Sequence, residues 1–148
     1  MKFHLTWLNC FLLILPLLAW NLVLGGRFTD PRVTSDAHSP KWLLVAENVT
    51  RILVLALPLL IPLQVKDAWS KTGLVIHVAG TLVYFASWLP LIYAQASDWS
   101  SSPAGLLAPR LTPFLSFLGI ALIGKSWTYG LIAAMFVFLH SAHGVQNL

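Results

Sequence analysis

Long apolar segments separated by polar ones dominate the pattern along this chain of 148 residues. The apolar residues run in blocks and do not alternate with polar residues, which is typical of membrane-spanning helices. A helix needs about 20 residues to cross the hydrocarbon core of a bilayer. On this basis the sequence predicts five spans, at residues 5–24, 42–65, 73–93, 111–124 and 127–145. The fourth block has only 14 residues, so an earlier start of this span, near Pro109, is the alternative.

Two longer polar segments, residues 25–41 and 94–110, interrupt these blocks. Both are rich in Gly, Pro, Ser and Asp, which are turn residues, so both are predicted to be loops. Lys and Arg are divided equally between the two sides, so the positive-inside rule does not set the orientation. Placing the N-terminus inside is the preferred assignment. It puts both loops outside, and the second loop is predicted to rest on the membrane surface over the bundle.

The last two blocks allow an alternative with four spans. In that alternative Lys125 and Trp127 lie in the middle of the bilayer, whereas a turn at residues 124–126 places both at the membrane surface, where Trp is enriched. The apolar part of residues 5–24 is longer than the core of a typical signal peptide, so we expect an uncleaved first span. The predicted fold class is therefore an all-α integral membrane protein forming a compact bundle of about five transmembrane helices, in a single domain over residues 1–148.

Composition supports a membrane location and excludes several functions. Hydrophobic residues make up 57% of the chain and charged residues 9%, against roughly a quarter charged in soluble proteins. No run of Lys or Arg is dense enough to indicate nucleic-acid binding. Cys10 is the only cysteine, so the chain cannot form an internal disulfide. The expected location is the cytoplasmic membrane of a bacterium, and membrane lipids are the expected partners.

Polar residues near the start of the second span are the first candidates for function. Glu47 and Arg51 are four residues apart, so they share one helix face, and Asn48 lies beside them. The apolar run that follows, Ile52–Leu63, is too short to span the bilayer. The helix must therefore also use residues 42–51, which draws the two charged groups into the membrane. Charges in that position are costly unless they pair or face a protein-lined cavity.

A second group of polar residues lies near the end of the fifth span. His140 and His143 are three residues apart and share a helix face. With five alternating spans, the second helix begins and the fifth ends at the same membrane face. The sequence therefore predicts one outer-side ligand site with Asp98 and Trp99 as its rim, formed by Glu47, Asn48, Arg51, His140, His143, Asp98 and Trp99.

Metal and haem sites are disfavoured. Zinc needs three or four ligands, and the two histidines supply only half of a site. His77 lies near the opposite face of the membrane from His140, whereas two axial haem ligands must face each other at one depth. The chain also lacks the common hydrolase, nucleotide-binding and metalloprotease motifs. The cofactor, if one exists, and any catalytic residues are unknown from the sequence.

Three functions remain open at this point. The preferred one is a small membrane protein that binds or moves an amphiphilic small molecule or lipid at the Glu/Arg/His site. A membrane-embedded enzyme could instead use the Glu and His residues for acid-base chemistry on a lipid-like substrate. The third is an accessory or assembly subunit, with a membrane-protein partner or as a homo-oligomer, in which the polar residues only hold helices together.

Overall fold

The computed structural model describes residues 8–24 and 39–146, and every regular element within them is a helix. An α-helix satisfies its backbone N–H and C=O groups internally, which is what an apolar environment requires. The second helix ends in a short 3-10 turn, Leu57–Leu60. The α-helices in chain order are α1 (Phe11–Leu24), α2 (Lys41–Ala56), α3 (Ala68–Tyr93), α4 (Asp98–Ser101), α5 (Pro103–Leu111), α6 (Pro113–Ile123) and α7 (Trp127–Gln146).

Four stretches of the described residues are long and apolar enough to cross a membrane: Lys41–Leu60, Ala68–Tyr93, Pro103–Ile123 and Trp127–Gln146. Helix α1 is equally apolar but has only 14 residues, which corresponds to about 21 Å of helix. The predicted all-helical fold is confirmed, with four helices of spanning length. The predicted first span at 5–24 begins outside the described residues, and so does most of the predicted loop at 25–41.

The prediction of a loop over residues 94–110 is wrong for much of its length. Ser97 caps the short helix α4 by accepting a hydrogen bond from the backbone N–H of Ser100 at 3.2 Å, and Ser102 caps α5 through that of Gly105 at 3.0 Å. Pro103 occupies the first turn of α5, where a missing N–H costs nothing. Serine and proline thus begin helices here, although the same residues also favour turns.

Helices α5 and α6 together form one continuous helical stretch of spanning length. Thr112, which joins them, has helical backbone angles, and its backbone N–H bonds to the carbonyl of Ala108. The resulting stretch, Pro103–Ile123, is the most buried of the four candidate spans. The predicted fourth span at 111–124 therefore covers little more than its second half.

Two further helix ends differ from the predictions. Helix α3 begins at Ala68, before the predicted start at residue 73, because Asp67 and Ser70 form a reciprocal capping box. The second span ends at Leu60 and not at residue 65. The chain is extended after that point, and Ile61 accepts a hydrogen bond of 2.8 Å from the backbone N–H of Cys10.

Glycines allow α3 and α6 to pack closely. A Cβ atom at Gly73 would lie 2.7 Å from the carbonyl oxygen of Gly119, and one at Gly80 would lie 2.6 Å from the backbone nitrogen of Ser116. This close approach is typical of helix pairs in membranes. His77 is buried in the same interface and bonds through Nδ1 to the carbonyl oxygen of Ser116 at 3.0 Å.

Candidate functional site

Helices α2 and α7 pack in opposite directions and bring the candidate residues together. Glu47, early in α2, meets His140 and His143, late in α7. At the other end of the pair, the hydroxyl of Tyr129 donates a hydrogen bond to the carbonyl oxygen of Val54 at 3.2 Å. Residues separated by more than 90 positions in the sequence therefore meet because the two helices run antiparallel.

Glu47 is the centre of this arrangement. It is only 2% exposed, and its two carboxylate oxygens accept hydrogen bonds from different histidines. Nδ1 of His140 lies 2.9 Å from Oε1, and Nδ1 of His143 lies 2.7 Å from Oε2. An ionised carboxylate only accepts, so both histidines carry a proton on Nδ1 in this arrangement.

Arg51, one turn further along α2, is the third residue that bonds to the carboxylate of Glu47. Its Nη2 donates to Oε1 of Glu47, and its Nη1 donates to Oδ1 of Asn48 at 3.0 Å. Its side chain remains 43% exposed. The guanidinium also lies 6.0 Å from the ring centroid of Phe136, which stacks on the ring of His140. Arg51 thus contacts the buried carboxylate while part of it faces outwards.

Arg110, on α5, is a member of the site that the sequence analysis missed. It is buried at 8% exposure, and its charge acts on the carboxylate of Glu47. Gly144 on α7 leaves the space that its guanidinium fills, because a Cβ there would overlap the Arg110 side chain. The sequence placed Arg110 in a surface loop, and only the helical continuity of residues 103–123 places it inside the bundle. We call Glu47, Asn48, Arg51, Arg110, His140 and His143 the polar cluster.

Asp98 and Trp99, the predicted rim, do not join the polar cluster. Both side chains are exposed on α4 and, within residues 39–146, neither makes a hydrogen bond, ion pair or ring contact with it. Helix α4 is tied instead to α3, because the hydroxyl of Ser100 donates to the carbonyl oxygen of Pro90 at 3.0 Å. Five of the seven predicted site residues are therefore brought together, and these two are not.

Glu47, at the centre of the polar cluster, lies well inside the candidate span Lys41–Leu60. Glu47 is six residues after Lys41, which corresponds to about 9 Å along the helix. At that depth a single charge is costly, whereas hydrogen-bonded opposite charges are tolerated. Within the described residues Glu47 bonds to one guanidinium group and two imidazoles, and the charge of Arg110 acts on it as well. The cluster therefore gathers a carboxylate, two guanidinium groups and two imidazoles in one part of the bundle.

No group of three or more His, Cys, Asp or Glu residues that could hold a metal ion occurs within residues 8–24 and 39–146. Two of the candidate ligands, His140 and His143, already direct Nδ1 to Glu47. His77 lies in the separate interface between α3 and α6. The predictions against zinc and haem stay predictions.

The fold and the polar cluster define a class of protein: an all-helical chain with four helices long and apolar enough to span a membrane and a buried Glu–Arg–His site between two of them. Comparison with protein-family models, with curated proteins and with solved structures finds no match for this chain. Its function must therefore be inferred from the geometry alone.

Proposed function

We propose that this chain is a multi-pass membrane protein whose polar cluster binds the anionic head group of an amphiphilic molecule, such as a lipid or a fatty acid. The observation that carries the proposal is the position of Arg51. Its guanidinium bonds to the buried carboxylate of Glu47, yet the side chain is 43% exposed on a helix of spanning length. An anionic head group from the membrane surface can reach the donors that Glu47 does not use.

Arg51 is the residue best placed to contact such an anion. A guanidinium has five N–H donors, and the bonds to Glu47 and Asn48 use Nη2 and Nη1 only in part. Arg can therefore hold a carboxylate and still offer donors to a phosphate or a second carboxylate. The side chain is 43% exposed, so a ligand can reach it without opening the helix pair. The buried Glu47 then acts as the positioning partner of Arg51.

We also propose that the chain crosses the membrane five times and resides in the cytoplasmic membrane of a bacterium. The four helices of spanning length support a membrane location, and the apolar character of residues 5–24 favours a further span that includes α1. With an N-terminus inside, the polar cluster lies near the outer surface. Cysteines introduced at positions 36, 68, 101, 125 and 147 and labelled from each side test this topology.

Binding can be tested with amphiphiles that share one alkyl chain and differ only in the head group. We expect the carboxylate and phosphate forms to bind the purified protein, by calorimetry in neutral detergent, about tenfold or more tightly than the alcohol, and the trimethylammonium form to bind weakest. Arg51→Gln should weaken binding of the anionic forms by about tenfold or more. Lys41 is an exposed lysine at the start of the same helix. Lys41→Gln is therefore the matched control and should leave binding unchanged.

The competing function is a structural clasp, in which the cluster only joins α2 to α7. It is favoured by the three hydrogen bonds that Glu47 already accepts. A clasp gives equal affinity for all four head groups. It also predicts that Glu47→Leu/Arg51→Met, which removes both charges, retains whatever lipid the wild-type protein carries through extraction, as seen by native mass spectrometry.

A further inference from the structure

A second feature lies at the opposite end of the bundle, in a groove of about 480 Å³ between α6 and α7. Its walls are apolar along most of its length, from Phe114 at one end to Lys125 at the other, which corresponds to about 16 Å of helix. The groove exists because α7 presents Gly130 and Ala134 where larger side chains would fill the space. Its length is about half the thickness of the hydrocarbon core.

The end of the groove at Lys125, here called its mouth, has residues of the kind that are common at membrane surfaces. Trp69 and Trp127 flank it at 67% and 83% exposure. Trp side chains concentrate at the level of lipid head groups. Lys125, which also lines the mouth, has the positive backbone angle φ of 48° and forms an ion pair with Asp67, with Nζ 2.7 Å from Oδ2. The ammonium group is thereby held at the mouth of the groove.

The described residues at this end of the bundle carry a positive charge. Lys66 and Lys71 are exposed close to Asp67 in the sequence, so among these residues three lysines accompany one carboxylate. An ammonium group has three donors, and Asp67 occupies only one side of Lys125. A negatively charged head group would complement this surface, and each lysine near an anionic membrane surface favours binding by about fivefold.

We infer that the groove holds one acyl chain of an anionic phospholipid, with the lipid phosphate bound by Lys125 at the mouth. The apolar walls between α6 and α7 accommodate the chain, and the lysines select the charge of the head group. This inference rests on the proposed membrane location but not on ligand binding by the polar cluster. The two sites lie at opposite ends of α7 and can be tested separately.

The test uses the full chain purified in a neutral detergent and titrated with phosphatidylglycerol or with phosphatidylcholine of the same acyl chains. Native mass spectrometry then measures how much lipid each protein retains. We expect the wild-type chain to retain phosphatidylglycerol at least about fivefold more strongly. Ala134→Leu, which fills the groove, should abolish this preference. Lys125→Asn should reduce it by about fivefold, and Asn tolerates the positive φ at this position.

Matched controls separate this site from general lipid contact and from the polar cluster. Ala79→Leu adds the same side chain to an exposed position on α3, and Lys41→Gln removes a lysine at the other end of the bundle. Both should retain phosphatidylglycerol as the wild type does. Repeating the comparison in an Arg51→Gln background keeps lipid bound at the polar cluster out of the measurement. Equal retention of the two lipids, or undiminished selectivity in both Ala134→Leu and Lys125→Asn, would overturn the inference. A second copy of the chain found in the groove by crosslinking from residue 134 would also overturn it.

Discussion

Removing the side chain of Glu47 is expected to destabilise the protein much more than removing that of Arg51, although the two residues form one ion pair. The reason is their difference in burial, since Glu47 is 2% exposed and the Arg51 side chain is 43% exposed. Glu47 also joins two helices, whereas the hydrogen bonds of Arg51 stay within α2. The substitutions to compare are Glu47→Ala and Arg51→Ala.

The size of each effect follows from what the substitution leaves behind. Glu47→Ala leaves the Nδ1 groups of His140 and His143 and the Arg51 guanidinium without their common acceptor. Breaking a buried ion pair in this way typically costs about 3–5 kcal/mol. Arg51→Ala leaves Glu47 bonded to both histidines, and solvent already screens much of the lost attraction. We therefore expect Arg51→Ala to cost only about 1–2 kcal/mol.

The assay is reversible unfolding in mixed micelles, followed by circular dichroism as the denaturing detergent is increased. Asn48→Ala is the control, because Asn48 is exposed and bonds only to Arg51 among the described residues; we expect a change within about 0.5 kcal/mol. Equal losses for Glu47→Ala and Arg51→Ala, or a loss below about 1 kcal/mol for Glu47→Ala, would refute the reasoning from burial. Equal losses would mean that burial does not set the size of the effect, and a small loss for Glu47→Ala would mean that the carboxylate does not stabilise the contact between α2 and α7.

Two further predictions concern the other end of the bundle. Gly119→Ala should destabilise the protein by about 1–3 kcal/mol, because the added Cβ would lie 2.5 Å from the backbone nitrogen of His77. Gly130→Ala, whose Cβ would meet its nearest neighbour at 3.5 Å, should cost far less in the same unfolding assay. The pKa of Asp67 is held below its usual value of 3.8, first by the hydrogen bond from Lys125. That stabilisation is present above about pH 4 and is lost as the pH falls through the lowered pKa. In Lys125→Asn the free energy of unfolding should therefore fall less as the pH is lowered below about 4. The same pH dependence in the variant and the wild type would contradict this.

The meeting of Glu47 with His140 and His143 could be predicted because it depends on only two regularities. Residues three or four apart share a helix face, and successive spans reverse direction. Between α2 and α7 the chain reverses three times whether or not α1 is a complete span. The start of α2 and the end of α7 therefore meet whether or not α1 is a complete span, whereas a single span made of the last two blocks would have put them at opposite faces.

The position of Arg110 could not be predicted in the same way. Serine, proline and glycine between residues 94 and 110 favour turns, but serine also caps helices and proline is accommodated in a first turn. Which role prevails depends on the contacts that the segment makes after folding, such as the bond from Ser100 to α3. Because the sequence predicts a loop over residues 94–110, Asp98 and Trp99 are included in the predicted site and Arg110 is not.

The addition of Arg110 brings a third helix to the site. Its side chain is buried against α7 at Gly144, one residue after His143, so α5 packs at the same end of α7 as the start of α2 does. Arg51 is the more exposed of the two guanidinium groups, and Glu47 and Asn48 leave some of its donors unused. We therefore propose that an anionic group binds on the outward side of Arg51. A head group there would come from the lipid surface about two helical turns away.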